Sequence, residues 1–176
     1  MDISLVVPAY NESGNIEPFL CAATEVLQSI GMSYEIVVVN DGSRDDTLVK
    51  LVHLIEKYPP LRIIDLSRNF GKEAALTAGL DAAVGRVVIP MDADLQHPPR
   101  LIPLLIAHWQ QGFDVVLCKR ASRDTDHWLQ RWVSRLFYRV HNAVAERDIP
   151  PDVGDFRLMD RRVVDALRLL PERRRL

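Results

Sequence analysis

Arg86-Val-Val-Ile-Pro-Met-Asp-Ala-Asp-Leu-Gln96 opens as an apolar, β-branched run and breaks into two acids spaced i and i+2. A run that is continuous rather than alternating marks a strand buried on both faces of a parallel sheet. The same pattern appears at Ile3–Val7, Ile36–Val39, Arg62–Leu66 and, after Gly112, at Asp114–Cys118. Helical spacing fills the gaps, over Ile16–Ile30, Thr47–Tyr58, Glu73–Val84 and Leu101–Gln111. Leu48, Leu51, Val52 and Ile55 carry the period in the second of these, with Ser43 and Asp46 as a capping box ahead of it. Strand-helix alternation of this kind predicts an α/β domain with a mostly parallel sheet flanked by helices.

Beyond Lys119 the pattern changes. Thr125–Ala145 reads as one long helix, apolar at Trp128, Trp132, Phe137 and Val140 and basic at Arg131, Arg135 and Arg139. Arg147–Asp155 reads as a loop, Phe156–Met159 as a short strand and Arg161–Leu170 as a last helix.

At 176 residues the chain is one domain, long enough to bury about 70% of its extended surface. Apolar residues at 48%, with only 8 Gly and 11 Pro, exclude a disordered or collagen-like chain. The net charge of −2 hides an asymmetry: 8 Lys/Arg stand against 15 Asp/Glu up to Cys118, and 14 against 9 after it. That division suggests a cation site in the first part and a phosphate or anionic-membrane site in the second. Cys21 and Cys118 match no metal spacing and form no disulfide framework, which points to a reducing compartment and two small core residues. The start has no basic region before its apolar stretch, which breaks at Pro8, and no run approaches a membrane span. The chain reads as soluble or peripheral.

In an open α/β sheet, ligands bind beyond the carboxyl ends of the strands. The runs end in Pro8-Ala-Tyr-Asn-Glu12, Asn40-Asp-Gly-Ser43, Ser67-Arg-Asn-Phe-Gly-Lys72 and Asp92-Ala-Asp-Leu-Gln96. Each tip alone is explained better by capping and turn chemistry than by ligand binding. Brought to one edge, they assemble an aromatic ring, several carboxylates and a lysine. Asp92 and Asp94 can both reach one hard cation, with the Gln96 carbonyl as a further oxygen and the remaining positions left to water and phosphates. Mg²⁺ or Mn²⁺ is the expected ion. His97 stands next to this segment, as a turn residue or a further ligand. The aromatic residues of Thr125–Ala145 read as packing or as a binding surface, and its arginine stripe as a solvated face or a membrane contact.

These motifs, with Gly154-Asp-Phe-Arg-Leu158, resemble in order the motifs of family 2 glycosyltransferases of the GT-A fold. They are most similar to bacterial polyprenyl-phosphate glycosyltransferases, relatives of dolichol-phosphate mannose synthase. The resemblance implies a Rossmann-like catalytic domain over 1–176, with 1–118 binding nucleotide and metal and 119–176 facing the acceptor. It implies that Pro8, Tyr10, Glu12 and Asp41 hold the base and ribose of a nucleoside diphosphate sugar, with Lys72 and Ala93 near the nucleotide. Asp92, Asp94 and Gln96 would hold the metal and diphosphate, Arg120 and Arg131 would meet the acceptor phosphate, and Asp155 and Arg157 would face the reacting centre with Asp94.

The implied reaction is inverting transfer of a hexose, glucose from UDP-glucose, to polyprenyl phosphate. GDP-mannose or another UDP-sugar, extension of a polysaccharide, and nucleotide-sugar binding without transfer are the alternatives. A lipid phosphate is already an oxyanion, so Asp155 is expected to orient an arginine or sugar hydroxyl rather than act as a base. Such relatives continue into amphipathic and transmembrane helices, so the natural protein is expected to extend past Leu176 and to work at the cytoplasmic face of the membrane. A membrane surface is an expected partner, a nucleic acid is not, and a homo-oligomer is left open.

Overall fold

The computed structural model describes residues 1–96, 98–119 and 153–169. His97, Arg120, Arg131 and the helix expected over Thr125–Ala145 lie outside the described residues. The strands are β1 (Ile3–Ala9), β2 (Tyr34–Asn40), β3 (Leu61–Asp65), β4 (Val87–Pro90), β5 (Val115–Lys119) and β6 (Val153–Asp160). The helices are α1 (Ile16–Ile30), α2 (Thr47–Leu54), α3 (Lys72–Ala82), α4 (Ile102–Gln110) and α5 (Arg161–Arg168), with a 3-10 turn at Pro99–Leu101 before α4. One sheet runs in the order β3-β2-β1-β4-β6-β5. The first four strands are parallel, and β6 is antiparallel to both β4 and β5.

The continuous apolar runs follow from cover on both faces. Ile3, Leu5, Val7 and Ala9 of β1 pack with Phe19, Leu20 and Leu27 of α1 and with Ile102 and Leu105 of α4. Val6, Val37 and Val39 turn the other way, onto Ala75, Leu76 and Leu80 of α3, beside Val164 of α5. Close approach of α3 depends on Gly79, where a Cβ would lie 2.3 Å from Cγ1 of Val6. Pro90 is tolerated in a central strand because it ends β4: Val87 and Met91 donate to the Asp2 and Val6 carbonyls of the β1 side, while β6 pairs only with Val87 and Val88.

At the opposite end of the sheet from the tips, a buried polar cluster ties β1, β2, β3 and the segment after α3 together. Glu35 is 2% exposed and accepts from Ser4 Oγ, from Arg62 Nη1 at 2.6 Å and from the Val84 N–H at 2.8 Å. Burial works to raise its pKa, but the hydrogen bonds from Ser4, Val84 and Arg62 outweigh it and hold the carboxyl below its ordinary value. Arg161 and Arg168 donate to the carbonyls of Leu80, Asp81, Ala83 and Gly85, anchoring the C-terminal end of α3 to α5.

Several expectations need correction. β3 is an edge strand whose apolar run is only partly covered: Ile63 and Ile64 pack against the cores on opposite faces but stay half-buried, and Arg62 and Asp65 are exposed. β5 is an edge strand too, paired antiparallel with β6, because the chain returns through β6 rather than adding a further parallel strand. β6 begins at Val153, opposite Lys119, so the end of the expected Arg147–Asp155 loop is strand. The Ser43–Asp46 box does not form: Ser43 Oγ accepts from the Asn11 N–H, and the Thr47 N–H is taken by Asp45. α2 stops at Leu54 and leaves Val52 and Ile55 exposed. Cys21 is exposed on α1, whereas Cys118 packs against the core, where burial pushes its thiol up to about 11. Among the described residues, no helix is long and apolar enough to cross a membrane.

Candidate active site

The carboxyl ends of β1 to β4 open into a cleft of about 330 Å³. Pro8, Tyr10, Glu12, Asp41, Lys72, Asp92, Ala93 and Asp94 all line it, so eight of the residues singled out in the sequence meet at one edge of the sheet. The tips are tied to one another by hydrogen bonds between residues distant in sequence. Between the first and second tips, Asn11 N–H donates to Ser43 Oγ, Glu12 N–H to Thr47 Oγ1 at 2.8 Å, and Arg44 N–H to Asn11 Oδ1 at 2.8 Å. Asn11 reaches this position with φ 57°, a left-handed conformation that asparagine tolerates better than most residues.

The second and third tips are joined by Asp41, 3% exposed, whose two oxygens accept from Phe70 N–H at 2.7 Å and Gly71 N–H at 2.9 Å. Gly42 makes the approach possible: at φ 62°, a Cβ there would lie 2.3 Å from the Arg68 carbonyl carbon. The carboxylate expected to face ribose therefore also braces the backbone of the third tip. The third and fourth tips meet through side chains, with Lys72 Nζ 2.8 Å from Asp92 Oδ2. The fourth tip turns at Leu95, φ 59°, and the Gln96 N–H donates to Asp94 Oδ1 at 2.9 Å. Gln96 is outside the cleft lining; its backbone orients Asp94.

Tyr10 stands 40% exposed at the mouth, able to present a ring face to a planar ligand. Glu12 accepts from Asn15 Nδ2 at 2.8 Å. Asn69, Gly71 and Ala75 also line the cleft and were not singled out as binding residues, although Asn69 and Gly71 belong to the third motif. Gly71, at φ 96°, could have been found as a turn position ahead of a helix; Ala75 is legible only as the small residue one turn beyond Lys72.

Arg157 lies on β6 between Phe156 and Leu158, which face the α1 and α4 side, so it alternates to the opposite face. Asp155 is on the same strand, whose antiparallel direction carries its first residues toward the edge where the parallel strands end.

Four carboxylates and one lysine among the lining residues make the cleft anionic. A diphosphate would be repelled there unless a cation accompanied it. Among the described residues, no group of three His, Cys, Asp or Glu forms a metal cage. Two carboxylates on one tip suit Mg²⁺ or Mn²⁺, which binds through one or two carboxylates and keeps positions for phosphate and water. The donor set therefore fits an ion that arrives with a diphosphate.

The sequence family described as "Glycosyl transferase family 2" matches residues 4–168. The chain is 47% identical over 174 residues to a protein named bactoprenol glucosyl transferase from Shigella phage SfV, covering 98% of this chain and 56% of that protein. It thus spans about half the length of the curated relatives it matches. Among solved structures, the mannosyltransferase PcManGT from Pyrobaculum calidifontis, in complex with GDP-Man and Mn²⁺, superposes with a TM-score of 0.57 at 28% identity, over 69% of this chain and 36% of that one. Glucosyl-3-phosphoglycerate synthase from Mycobacterium tuberculosis, in complex with Mn²⁺, UDP and its product, gives 0.53 at 27% identity, over 65% of this chain and 42% of that one.

Proposed function

The chain belongs to the family 2 glycosyl transferases, and on that premise we propose that it transfers glucose from UDP-glucose to polyprenyl phosphate with inversion at the sugar. The observation that carries the acceptor and the sugar is 47% identity to a bactoprenol glucosyl transferase along nearly the whole chain. UDP in a glucosyl-transferring structural neighbour supports the base. The anionic cleft supports a diphosphate brought in with a divalent cation.

Each residue then has a task. Tyr10 supplies a flat wall for the base, with Pro8 and Ala93 lining the same cleft; Glu12 and Asp41 accept hydrogen bonds from base or ribose. Asp92 and Asp94 would hold Mg²⁺ or Mn²⁺, which supplies positive charge to the leaving diphosphate. Lys72 reaches the same phosphates. Arg120, Arg131 and Arg157 offset the acceptor's charge through forked hydrogen bonds, so that two anions can be brought together. An acceptor phosphate oxygen forms the bond to the sugar C1 as the bond from C1 to the diphosphate breaks, and UDP departs without a proton transfer. Asp155 orients an arginine or a sugar hydroxyl. In this scheme residues 1–118 serve donor and metal and 119–176 serve the acceptor, at the cytoplasmic face of a membrane.

The test is transfer of radiolabelled glucose into the organic phase from UDP-glucose, with polyprenyl phosphate in detergent and Mn²⁺. Asp94→Ala is expected to lower the rate about 100-fold or more. Transfer from GDP-mannose instead would favour the donor bound in the Pyrobaculum neighbour. Label appearing only on a polysaccharide hydroxyl would overturn the lipid-phosphate acceptor.

A further inference from the structure

We infer that Lys72 controls when the divalent cation binds: its ammonium occupies Asp92 until a diphosphate arrives, then moves from carboxylate to phosphate and opens Asp92 to the metal. This rests on the assignment of Asp92 and Asp94 to the metal and adds an order of events to it.

The other ties between tips have a backbone amide as one partner, as in Asn11 N–H to Ser43 and the Phe70 and Gly71 amides to Asp41. The tie between the third and fourth tips is different, because both partners are cleft-lining side chains of opposite charge. Lys72 and Asp92 are 43% and 26% exposed, so ligands in the cleft can reach both. The backbone beneath Lys72 is held: Gly71 N–H is bonded to Asp41, and α3 starts at Lys72 with its far end clamped by Arg161 and Arg168. What can move is the four-carbon stem, which lets an ammonium change partner within one cleft.

Charge sets the direction of the exchange. With Lys72 on Asp92, an incoming Mn²⁺ meets an ammonium beside one of its two carboxylates, and the two cations repel. A diphosphate offers the ammonium a more highly charged partner and simultaneously supplies oxygens to the metal. Metal and nucleotide then bind synergistically, and metal alone binds weakly.

The experiment is titration of Mn²⁺, followed by the loss of the free-ion electron paramagnetic resonance signal, with and without UDP. Wild type is compared with Lys72→Met, Lys72→Arg and Asp94→Asn, and circular dichroism checks that each is folded. Lys72→Met is expected to bind Mn²⁺ alone about three- to tenfold more tightly, since a partly exposed charge repulsion has been removed. The tightening that UDP confers is expected to shrink by about the same factor, leaving the part due to phosphate oxygens on the metal. Lys72→Arg keeps the charge and is expected to resemble wild type with Mn²⁺ alone. Lys72→Gln serves as the second neutral variant if Lys72→Met is not folded. Unchanged or weaker Mn²⁺ binding by the neutral variant, with Asp94→Asn impaired, overturns the exchange and leaves the metal site standing. Wild-type Mn²⁺ binding by Asp94→Asn overturns the metal site itself, and the exchange with it.

Discussion

At the scale of single residues, the cleft is held by carboxylates with two kinds of work. Asp92 and Asp94 face the space a ligand would fill, Asp41 lines the same space while accepting from two backbone amides, and Asp45 is set back and committed to the loops. Asp45 accepts from the Ser13 N–H and from both the amide and hydroxyl of Thr47, joining the loops that follow β1 and β2. Burial works to raise its pKa, but these hydrogen bonds prevail and lower it from 3.8 to about 2. A carboxyl depressed in the folded state adds stability that is full above its unfolded pKa and is lost as pH falls through the folded one. The stability contributed by Asp45 is therefore expected to disappear between pH 3.8 and about 2. Urea unfolding across that interval should show a shallower dependence on pH in Asp45→Asn than in wild type. The motif residues were readable because each tip is local in sequence. The bracing role of Asp41 was not, because its partner Phe70 lies 29 residues further on.

Among the elements, α3 decides the geometry of the site, since it carries Lys72 at one end and packs on β1 and β2 along its length. Small residues make that contact close. Replacing Gly79 by alanine would gain about 1 kcal/mol of helix propensity. The added methyl would lie 2.3 Å from a buried branched side chain, Val6, which has no room to withdraw. Overpacking of this kind costs about 1–3 kcal/mol, so Gly79→Ala is expected to be net destabilising in urea melts, by up to about 2 kcal/mol. The elements most legible in the sequence were those packed into the core: α1, with one buried face, has the predicted bounds, and β4, buried on both faces, differs from its expected run only at Arg86. Edges were harder. The apolar residues of α2 predicted a longer helix than the one observed, because periodicity registers Val52 and Ile55 whether or not anything packs on them.

For the whole molecule, the division of charge is the feature to test. Residues up to Cys118 carry 15 acids against 8 bases, and the remainder 14 bases against 9 acids. The acceptor proposed for this chain resides in a membrane, and basic segments are drawn to anionic headgroups over distances set by salt. The chain is expected to co-sediment with vesicles containing phosphatidylglycerol at low ionic strength and to release at about 0.5 M salt, where screening shortens the interaction to a few ångströms. Binding that is equal on neutral phosphatidylcholine vesicles, or indifferent to salt, would remove the anionic surface from the reading.

The sequence by itself determined the α/β class, the order of the first four strands along the chain, and the four polar tips, because these are written in local runs and in the turn residues that end them. It could not determine that the last strand turns back antiparallel between β4 and β5, since pairing partners depend on which edge of the sheet is open when the chain returns. Nor could it assign the work of each acid. Asp41 and Asp92 both follow buried strands, yet one is spent on amides and the other on an ammonium. Only the folded arrangement, by fixing which groups come within hydrogen-bonding distance, shows that one cleft carboxylate also braces the backbone while the other is paired with a side chain that can move.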